Sequence, residues 1–303
     1  MTTRFFFNDT AEFFNITCKA RRLSPNTISD YSNTLRKLSA FLGNRPIDQV
    51  TKNDIRLFLA GQTVCNKTLL NYHVGMSVFF KWLISEDLLT VNPMVGIARP
   101  RPQIRIIEPI PVEHIRLMLN AVSRSAPYQH FSKLSTNDLQ QYAARNRAMI
   151  LFLLDTGVRV GELVTIVKDK VDRKAGGVKV LGKGNKERMV YFSPTTGMAL
   201  WKYSLSHDSK YLFATEQGRQ LDRNNVGHIL ARICERAGVP VYSPHDFRHT
   251  FAVNYLRNYP NIYALQQMLG HSSLDMVKRY LCISEQDLQH AHMQASPVEN
   301  WNL

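Results

Sequence analysis

The chain has 303 residues, with 38 Lys and Arg against 24 Asp and Glu and a formal net charge of +14 at pH 7. This length fits one to three domains, and the excess positive charge favours a polyanionic partner, nucleic acid above all. The sequence contains no secretory signal pattern, no apolar run of the about 18 residues that span a membrane and no C-x-x-C pair. We therefore expect a soluble, cytoplasmic, nucleoid-associated protein with no metal, no cofactor and no membrane contact.

The first hundred residues have the apolar spacing of helices. Ser24–Gly43 begins with an N-cap serine and a first-turn proline and stops at a glycine. Thr51–Gly61 opens with a Thr-x-x-Asp capping box, and Leu69–Leu83 carries an apolar stripe at helical spacing. Residues 1–97 are therefore predicted to form a helical domain. Residues 98–110 are dense in proline and arginine, which predicts an extended linker.

Residues 111–303 combine helices with short strands. The pattern predicts helices over Pro111–Val122 and Asp138–Leu154 and again after Asp222, and a loop over 124–137. It predicts strands on both sides of a glycine-containing turn at 182–186 and favours a third strand. These strands are Val178–Leu181, Glu187–Phe192 and Tyr211–Ala214. The predicted fold class is mainly α with a small antiparallel β-sheet (α+β).

Four short stretches in this second domain place cations or hydrogen-bond donors next to a glycine or a helix start. They read TGVRVGEL, GKGNKER, HDFRHT and LGHSS followed by RY. Together they supply six candidate catalytic residues and no acidic cluster. The six are Arg159, Lys183, His245, Arg248, His271 and Tyr280.

This set of residue types suits chemistry on a phosphodiester. Two arginine forks can hold the non-bridging oxygens of one phosphate and stabilise the charge that builds in a pentacoordinate transition state. A tyrosine hydroxyl is a weak nucleophile at neutral pH because its ordinary pKa is about 10, but nearby cations favour its anion and a histidine can take the proton. A lysine on a turn can protonate the leaving 5′ oxygen. The covalent product keeps the bond energy, so neither ATP nor Mg²⁺ is needed.

The four stretches resemble those of the tyrosine recombinase/integrase family, in order and at compatible spacing. The resemblance implies an N-terminal helical core-binding (SAM-like) DNA-binding domain and a catalytic domain over 111–303 with a C-terminal tail helix. It assigns Tyr280 as the nucleophile that forms a 3′-phosphotyrosine. It assigns phosphate binding to Arg159, Arg248 and His271, proton transfer to His245 and the general acid to Lys183.

The resemblance also implies partners for the chain. Two protomers would bind inverted half-sites on double-stranded DNA, gripping it between the two domains, and two such dimers would form a tetrameric synapse through the C-terminal helix at Ser284–His292. The absence of an arm-binding domain before residue 24 makes the chain similar to Xer-like or mobile-element integrases. Glu162 is expected to support Arg159. One departure is Asn146, where an acidic residue is common.

Three alternatives stay open at this point. A type IB topoisomerase or telomere resolvase would use the same chemistry on one duplex. A catalytically silent DNA-binding protein could keep the fold, and a metal-dependent nuclease would need the carboxylate cluster that the motifs lack.

At single positions, Lys186 or Arg188 could replace Lys183 as the acid. His245 and His249 are spaced like zinc ligands but lack a glutamate and a third ligand. Other tyrosines of the region, predicted to be packing residues, are Tyr255, Tyr259 and Tyr263.

Overall fold

The computed structural model describes residues 5–101, 108–123, 136–172, 174–182, 187–215 and 217–270. Beyond Gly270 it describes only 273–274, 277, 280, 289, 292–293 and 295–301. The chain divides into two compact units, Met1–Arg105 and Ile106–Leu303. Within the described ranges, no helix combines the length and the apolar character that crossing a bilayer requires.

The first unit is helical, as the sequence predicts. Its helices are α1 (Phe7–Ala20), α2 (Pro25–Leu42), α3 (Lys52–Ala60) and α4 (Asn66–Ser85). Three predicted signals are confirmed: the Ser24 hydroxyl caps α2, Gly43 ends it with a left-handed backbone, and the capping box opens α3. Helix α1 was not predicted from the sequence; its buried residues are Phe7, Thr10, Phe14 and Cys18.

Aromatic packing holds the first unit together. Phe14 on α1 lies within 6 Å, ring to ring, of Phe79 and Trp82 on α4, and all three side chains are nearly inaccessible to solvent. Helices α2 and α4 approach closely at Gly75, where a Cβ would lie 3.2 Å from the Thr34 side chain. A glycine in the middle of a helix costs about 1 kcal/mol of stability relative to alanine. Here the missing side chain allows α2 and α4 to pack closely.

The second unit surrounds a small sheet with helices. Its helices are α5 (Val112–Ser123), α6 (Thr136–Thr156), α7 (Val160–Leu163), α8 (Pro194–Ser204), α9 (Arg223–Ala237), α10 (Pro244–Asn258), α11 (Ile262–Leu269) and α12 (Pro297–Asn300). The sheet contains β1 (Val171–Asp172), β2 (Gly177–Leu181) and β3 (Glu187–Tyr191) in that order, all antiparallel. In the β2–β3 register Val180 lies opposite Arg188 and Leu181 opposite Glu187. The predicted fold class is confirmed.

One strand prediction was wrong. The third strand of the sheet is β1, whereas Tyr211 and Ala214 form only isolated bridges, to Val167 and Gln220. The backbone N–H of Ala214 instead donates to the buried Tyr203 hydroxyl at 3.2 Å, so this apolar segment packs into the core without joining a ladder. The predicted 124–137 loop, turn 182–186 and tail helix Ser284–His292 lie largely outside the described residues.

Candidate active site

Arg159 stands directly before the short helix α7, at the end of a tight turn from α6. Gly157 makes the turn with a left-handed φ of +59°, and a Cβ there would lie 2.4 Å from the Phe251 ring. The turn therefore requires glycine. The Glu162 carboxylate accepts from the Arg159 backbone N–H at 2.9 Å and from its Nη1 at 3.0 Å, which directs the guanidinium back along α7.

Arg248 lies in the second turn of α10 and is only 3% exposed. The helix opens with a capping box of Ser243 and Asp246, which fixes its first turn just before Arg248. The guanidinium donates from Nη1 to the Gly157 carbonyl at 2.6 Å and from Nη2 to the Leu269 carbonyl at 2.8 Å. These bonds connect α10 to the turn before Arg159 and to the end of α11.

The two arginines meet at the C-terminal end of α11. Arg159 donates from Nη1 to the Leu269 carbonyl and from Nη2 to the Gly270 carbonyl, both at 3.2 Å. Arg248 shares the first of these acceptors. Carbonyl groups at the end of a helix have no partner within the helix and carry partial negative charge. The end of α11 therefore stabilises two cations in one place.

The pKa of Arg248 reflects the other charged groups that lie close to it. The pKa of Arg248 is lowered from 12.5 to about 10, first by burial and second by the positive charge of Arg159. The Tyr280 phenol and the Glu162 carboxylate raise it and so oppose this shift. Arg248 remains positively charged at neutral pH. The candidate nucleophile therefore lies within electrostatic range of Arg248.

Arg188 belongs to the same cluster, a role that the sequence analysis missed. On β3, its Nη1 and Nη2 donate to the two Glu162 oxygens at 2.7 and 2.8 Å, and its Nε donates to the Met268 carbonyl at 2.9 Å. Burial alone raises the pKa of the Glu162 carboxyl, but the hydrogen bonds from Arg188 and Arg159 outweigh it and hold that pKa below its ordinary value. The available signal was the two-residue step from Arg188 to the apolar Val190, which places both on one face of the predicted strand.

Tyr280 is 9% exposed and packs in a small apolar cluster with Val253, Leu265 and Leu269 from α10 and α11. Its ring centroid lies 5.3 Å from that of His249, which is itself buried. His249 therefore packs beside the candidate nucleophile.

The remaining candidates are placed in part. His245 is exposed in the first turn of α10, three residues before Arg248 and hence on the same side of the helix. Lys183 and His271 lie outside the described residues. The packing role predicted for three other tyrosines was wrong for two of them: Tyr259 is 57% and Tyr263 64% exposed.

That error has a structural reason. Tyr259 follows the last residue of α10, and Tyr263 lies in the first turn of α11, whose buried residues are Leu265 and Leu269. A residue two positions from a buried one on a helix points to a different side. Tyr263 thus faces away from the apolar cluster that holds Tyr280, whereas Tyr259 lies beyond the end of the helix and is exposed to solvent, with its ring centroid 5.8 Å from that of Tyr255.

In the part of the chain that the structure describes, no three His, Cys, Asp or Glu side chains group as metal ligands would. The arrangement presents instead two guanidinium groups beside a phenol. Arginine forks match phosphate oxygens, and a phenol beside cations is suited to nucleophilic attack once deprotonated. The geometry therefore suits covalent chemistry on a phosphate ester.

Comparison with known protein families gives two matches that together span most of the chain. Residues 128–287 match the phage integrase family, and residues 11–90 match the family's N-terminal SAM-like domain. Similar curated proteins include a tyrosine recombinase XerC of Leptospira interrogans, 30% identical over 96% of this chain and 94% of its own length. A tyrosine recombinase XerC of Alcanivorax borkumensis is 28% identical over 91% and 90%.

Solved structures share the fold at low identity. The Tn1549 transposon integrase in complex with transposon right end DNA has a TM-score of 0.74, with 19% identity over 95% of this chain and 99% of its own. The XerH site-specific recombinase bound to palindromic difH substrate has a TM-score of 0.73, with 19% identity over 94% and 84%. A lambda integrase dimer bound to a COC′ core site has a TM-score of 0.72, with 17% identity over 92% and 77%.

Proposed function

Since this chain belongs to the phage integrase family and is a tyrosine recombinase, we propose that Tyr280 is the nucleophile with which it cuts and rejoins DNA. One observation supports this assignment most strongly. Tyr280 interacts electrostatically with Arg248, and Arg248 shares the Leu269 carbonyl with Arg159. A phenol far from both guanidinium groups would have contradicted the proposal.

The proposed reaction is a direct displacement at phosphorus. The Tyr280 oxygen forms a bond to the scissile phosphorus and loses its proton, the bond from phosphorus to the 5′ oxygen breaks, and that oxygen gains a proton. The product is a 3′-phosphotyrosine and a free 5′ hydroxyl. Attack by the 5′ hydroxyl of another strand reverses the step, so each broken phosphodiester is replaced and no ATP is consumed.

The other residues divide the remaining tasks. Arg159 and Arg248 would bind the non-bridging oxygens and stabilise the charge that develops there. Arg159 suits this role because its side chain is 34% exposed and its Nε and one Nη2 hydrogen have no acceptor among the described residues. His245 is proposed for proton transfer at the exposed start of α10. Lys183 as general acid and His271 as a phosphate ligand rest on the sequence resemblance.

The assembly on DNA is proposed at the level of domains. The helical domain 1–97 and the catalytic domain 111–303, joined by 98–110, would both contact one half-site, with phosphate contacts supplying most of the affinity. Inverted half-sites, a tetrameric synapse coupled through the C-terminal helix and a cytoplasmic, nucleoid-associated location complete this proposal. Relatives of known structure support the DNA partner, since all three named above are complexes with a recombination site or transposon-end DNA.

Site-specific recombination is favoured over strand passage on one duplex. The curated relatives that cover more than nine-tenths of this chain are recombinases, and the structural neighbours include a recombinase, a transposon integrase and a phage integrase. A catalytically silent protein would have no need to retain the two arginines and the tyrosine together.

The decisive experiment traps the covalent intermediate. Duplexes that bind the protein are selected from a random library, nicked near the cleavage position so that a released fragment diffuses away, and incubated with the protein in EDTA without ATP. We expect an SDS-resistant protein–DNA adduct from the wild type and none from Tyr280→Phe. Tyr263→Phe, which alters an exposed tyrosine of α11, is the matched control and should form the adduct normally. An adduct in Tyr280→Phe would place the nucleophile elsewhere, and dependence on metal would revive the nuclease alternative.

A further inference from the structure

Arg188 lies largely shielded from solvent on β3, beside Glu162 and the end of α11. Its side chain is 13% exposed and that of Glu162 is 4% exposed. The two form a bidentate ion pair in which each carboxylate oxygen accepts one guanidinium N–H, at 2.7 and 2.8 Å. A bidentate pair fixes both partners in orientation as well as in distance.

Glu162 is shared between Arg188 and Arg159. Its Oε1 accepts from Nη1 of both arginines, and its Oε2 accepts from Arg188 Nη2 and from the Arg159 backbone N–H. A buried carboxylate needs a compensating charge. Without Arg188, Arg159 would be the one guanidinium left that hydrogen-bonds to Glu162 among the described residues, with Arg248 acting only at longer range, and the Arg159 guanidinium would turn fully toward Glu162.

Gly270 shows that the end of α11 is shaped around Arg188. Its φ is +62°, and a Cβ there would lie 3.1–3.2 Å from three atoms of the Arg188 side chain. The Gly270 carbonyl accepts from Arg159, and the Met268 carbonyl accepts from Arg188. Arg188 therefore packs under the same segment whose carbonyls hold Arg159.

We propose that Arg188 is a positioning residue for Arg159: it neutralises Glu162 and supports the end of α11, so that the exposed edge of Arg159 stays available to the phosphate. This inference rests on the proposed function. It assigns Arg188 no contact with DNA, and it predicts that the effect of Arg188 on cleavage passes through Arg159 and Glu162.

A double-mutant cycle tests the coupling. Single-turnover adduct formation is measured for the wild type, Arg188→Met, Arg159→Ala and the double variant. We expect Arg188→Met to slow the reaction at least about tenfold in the wild-type background but less than about threefold in the Arg159→Ala background, because coupled residues are strongly non-additive. Equal slowing in both backgrounds would overturn the proposal.

Neutralising the carboxylate provides a second test, which a purely structural role would not pass. Glu162→Gln combined with Arg188→Met should react faster than Arg188→Met alone, because no buried charge then competes for Arg159. Arg188→Lys should recover part of the rate, since a lysine restores the charge without the fork. No rescue by either variant would contradict the proposal.

Controls separate this proposal from loss of folding and from failure of the proposed function. Lys179→Met removes an exposed cation of β2 that lies 4.0 Å from Glu187 and should leave the rate unchanged. Thermal unfolding confirms that each variant is folded at the assay temperature, and DNA affinity should change less than about threefold. If Tyr280→Phe forms the adduct, the nucleophile assignment fails while the coupling between Arg188 and Arg159 is still measured.

Discussion

Arg248→Met separates the catalytic role of the buried arginine from its role in stability. Arg248 is 3% exposed, and its pKa is about 10 instead of 12.5. Keeping this arginine charged in the folded protein without DNA therefore costs about 3 kcal/mol relative to an arginine with the ordinary pKa. Methionine removes this cost. It also leaves the Gly157 carbonyl without the Arg248 donor, which costs about 1–3 kcal/mol, while the Leu269 carbonyl keeps its bond from Arg159. The free energy of unfolding should therefore change by less than about 2 kcal/mol.

The rate of DNA cleavage should fall much more than the stability does. Loss of one preorganised donor to a transition-state oxygen typically slows catalysis by about 10²–10³. Urea unfolding and single-turnover adduct formation measure the two effects on the same protein, and Arg236→Met, which removes an exposed arginine of α9, should alter neither. A loss of more than about 4 kcal/mol of stability in Arg248→Met, or a slowing of cleavage no greater than the weakening of DNA binding, would contradict this prediction.

Two further predictions concern the surroundings of the arginines. Gly157→Ala should destabilise the protein more than Gly238→Ala in urea unfolding and should slow adduct formation: both replace a glycine with positive φ, at about 1–2 kcal/mol, but only at Gly157 would the new Cβ collide with Phe251. Equal destabilisation would show that this collision is not the cause. The pKa of Glu162 is lowered from 4.5, so its ionised form contributes stability that is present above about pH 4.5 and is lost as the pH falls through its lower folded value. Thermal unfolding between pH 5 and 3 should therefore show a smaller acid-induced loss in Glu162→Gln than in the wild type, and identical profiles would show that the lowered pKa contributes nothing.

The sequence predicted those features that local rules determine. Helix ends marked by an N-cap serine, a terminating glycine or a capping box, at Ser24, Gly43 and Thr51, were found where expected. The paired strands β2 and β3 were also predicted within one residue at each end. In these cases a few adjacent residues carry the whole signal, because the hydrogen bonds that define the element are local.

Features that depend on distant parts of the chain were missed. The strand-like apolar segment at Tyr211 forms only an isolated bridge with Val167 and stays outside the three-stranded sheet, which composition cannot reveal. Arg188 was considered only as a rival to Lys183, since its bonds join residues 26 and 80 positions away in sequence. The exposure of Tyr259 and Tyr263 depends on the packing of α10 against α11. The sequence thus indicated the type of reaction, whereas the contacts that position the arginines became visible only in the fold.

The charge of the described cluster agrees with the reaction proposed for it. Arg159, Arg188 and Arg248 carry three positive charges, and Glu162 carries one negative charge, so the net charge is +2. A phosphodiester and a phenolate together bring two negative charges, and in the pentacoordinate transition state the charge of the phenolate moves onto the phosphate oxygens that the arginines bind. The cluster therefore matches the transition state better than the bound ground state, which is the condition for catalysis. Because the carbonyls at the end of α11 hold all three guanidinium groups without neutralising them, this excess of positive charge is in place before DNA binds.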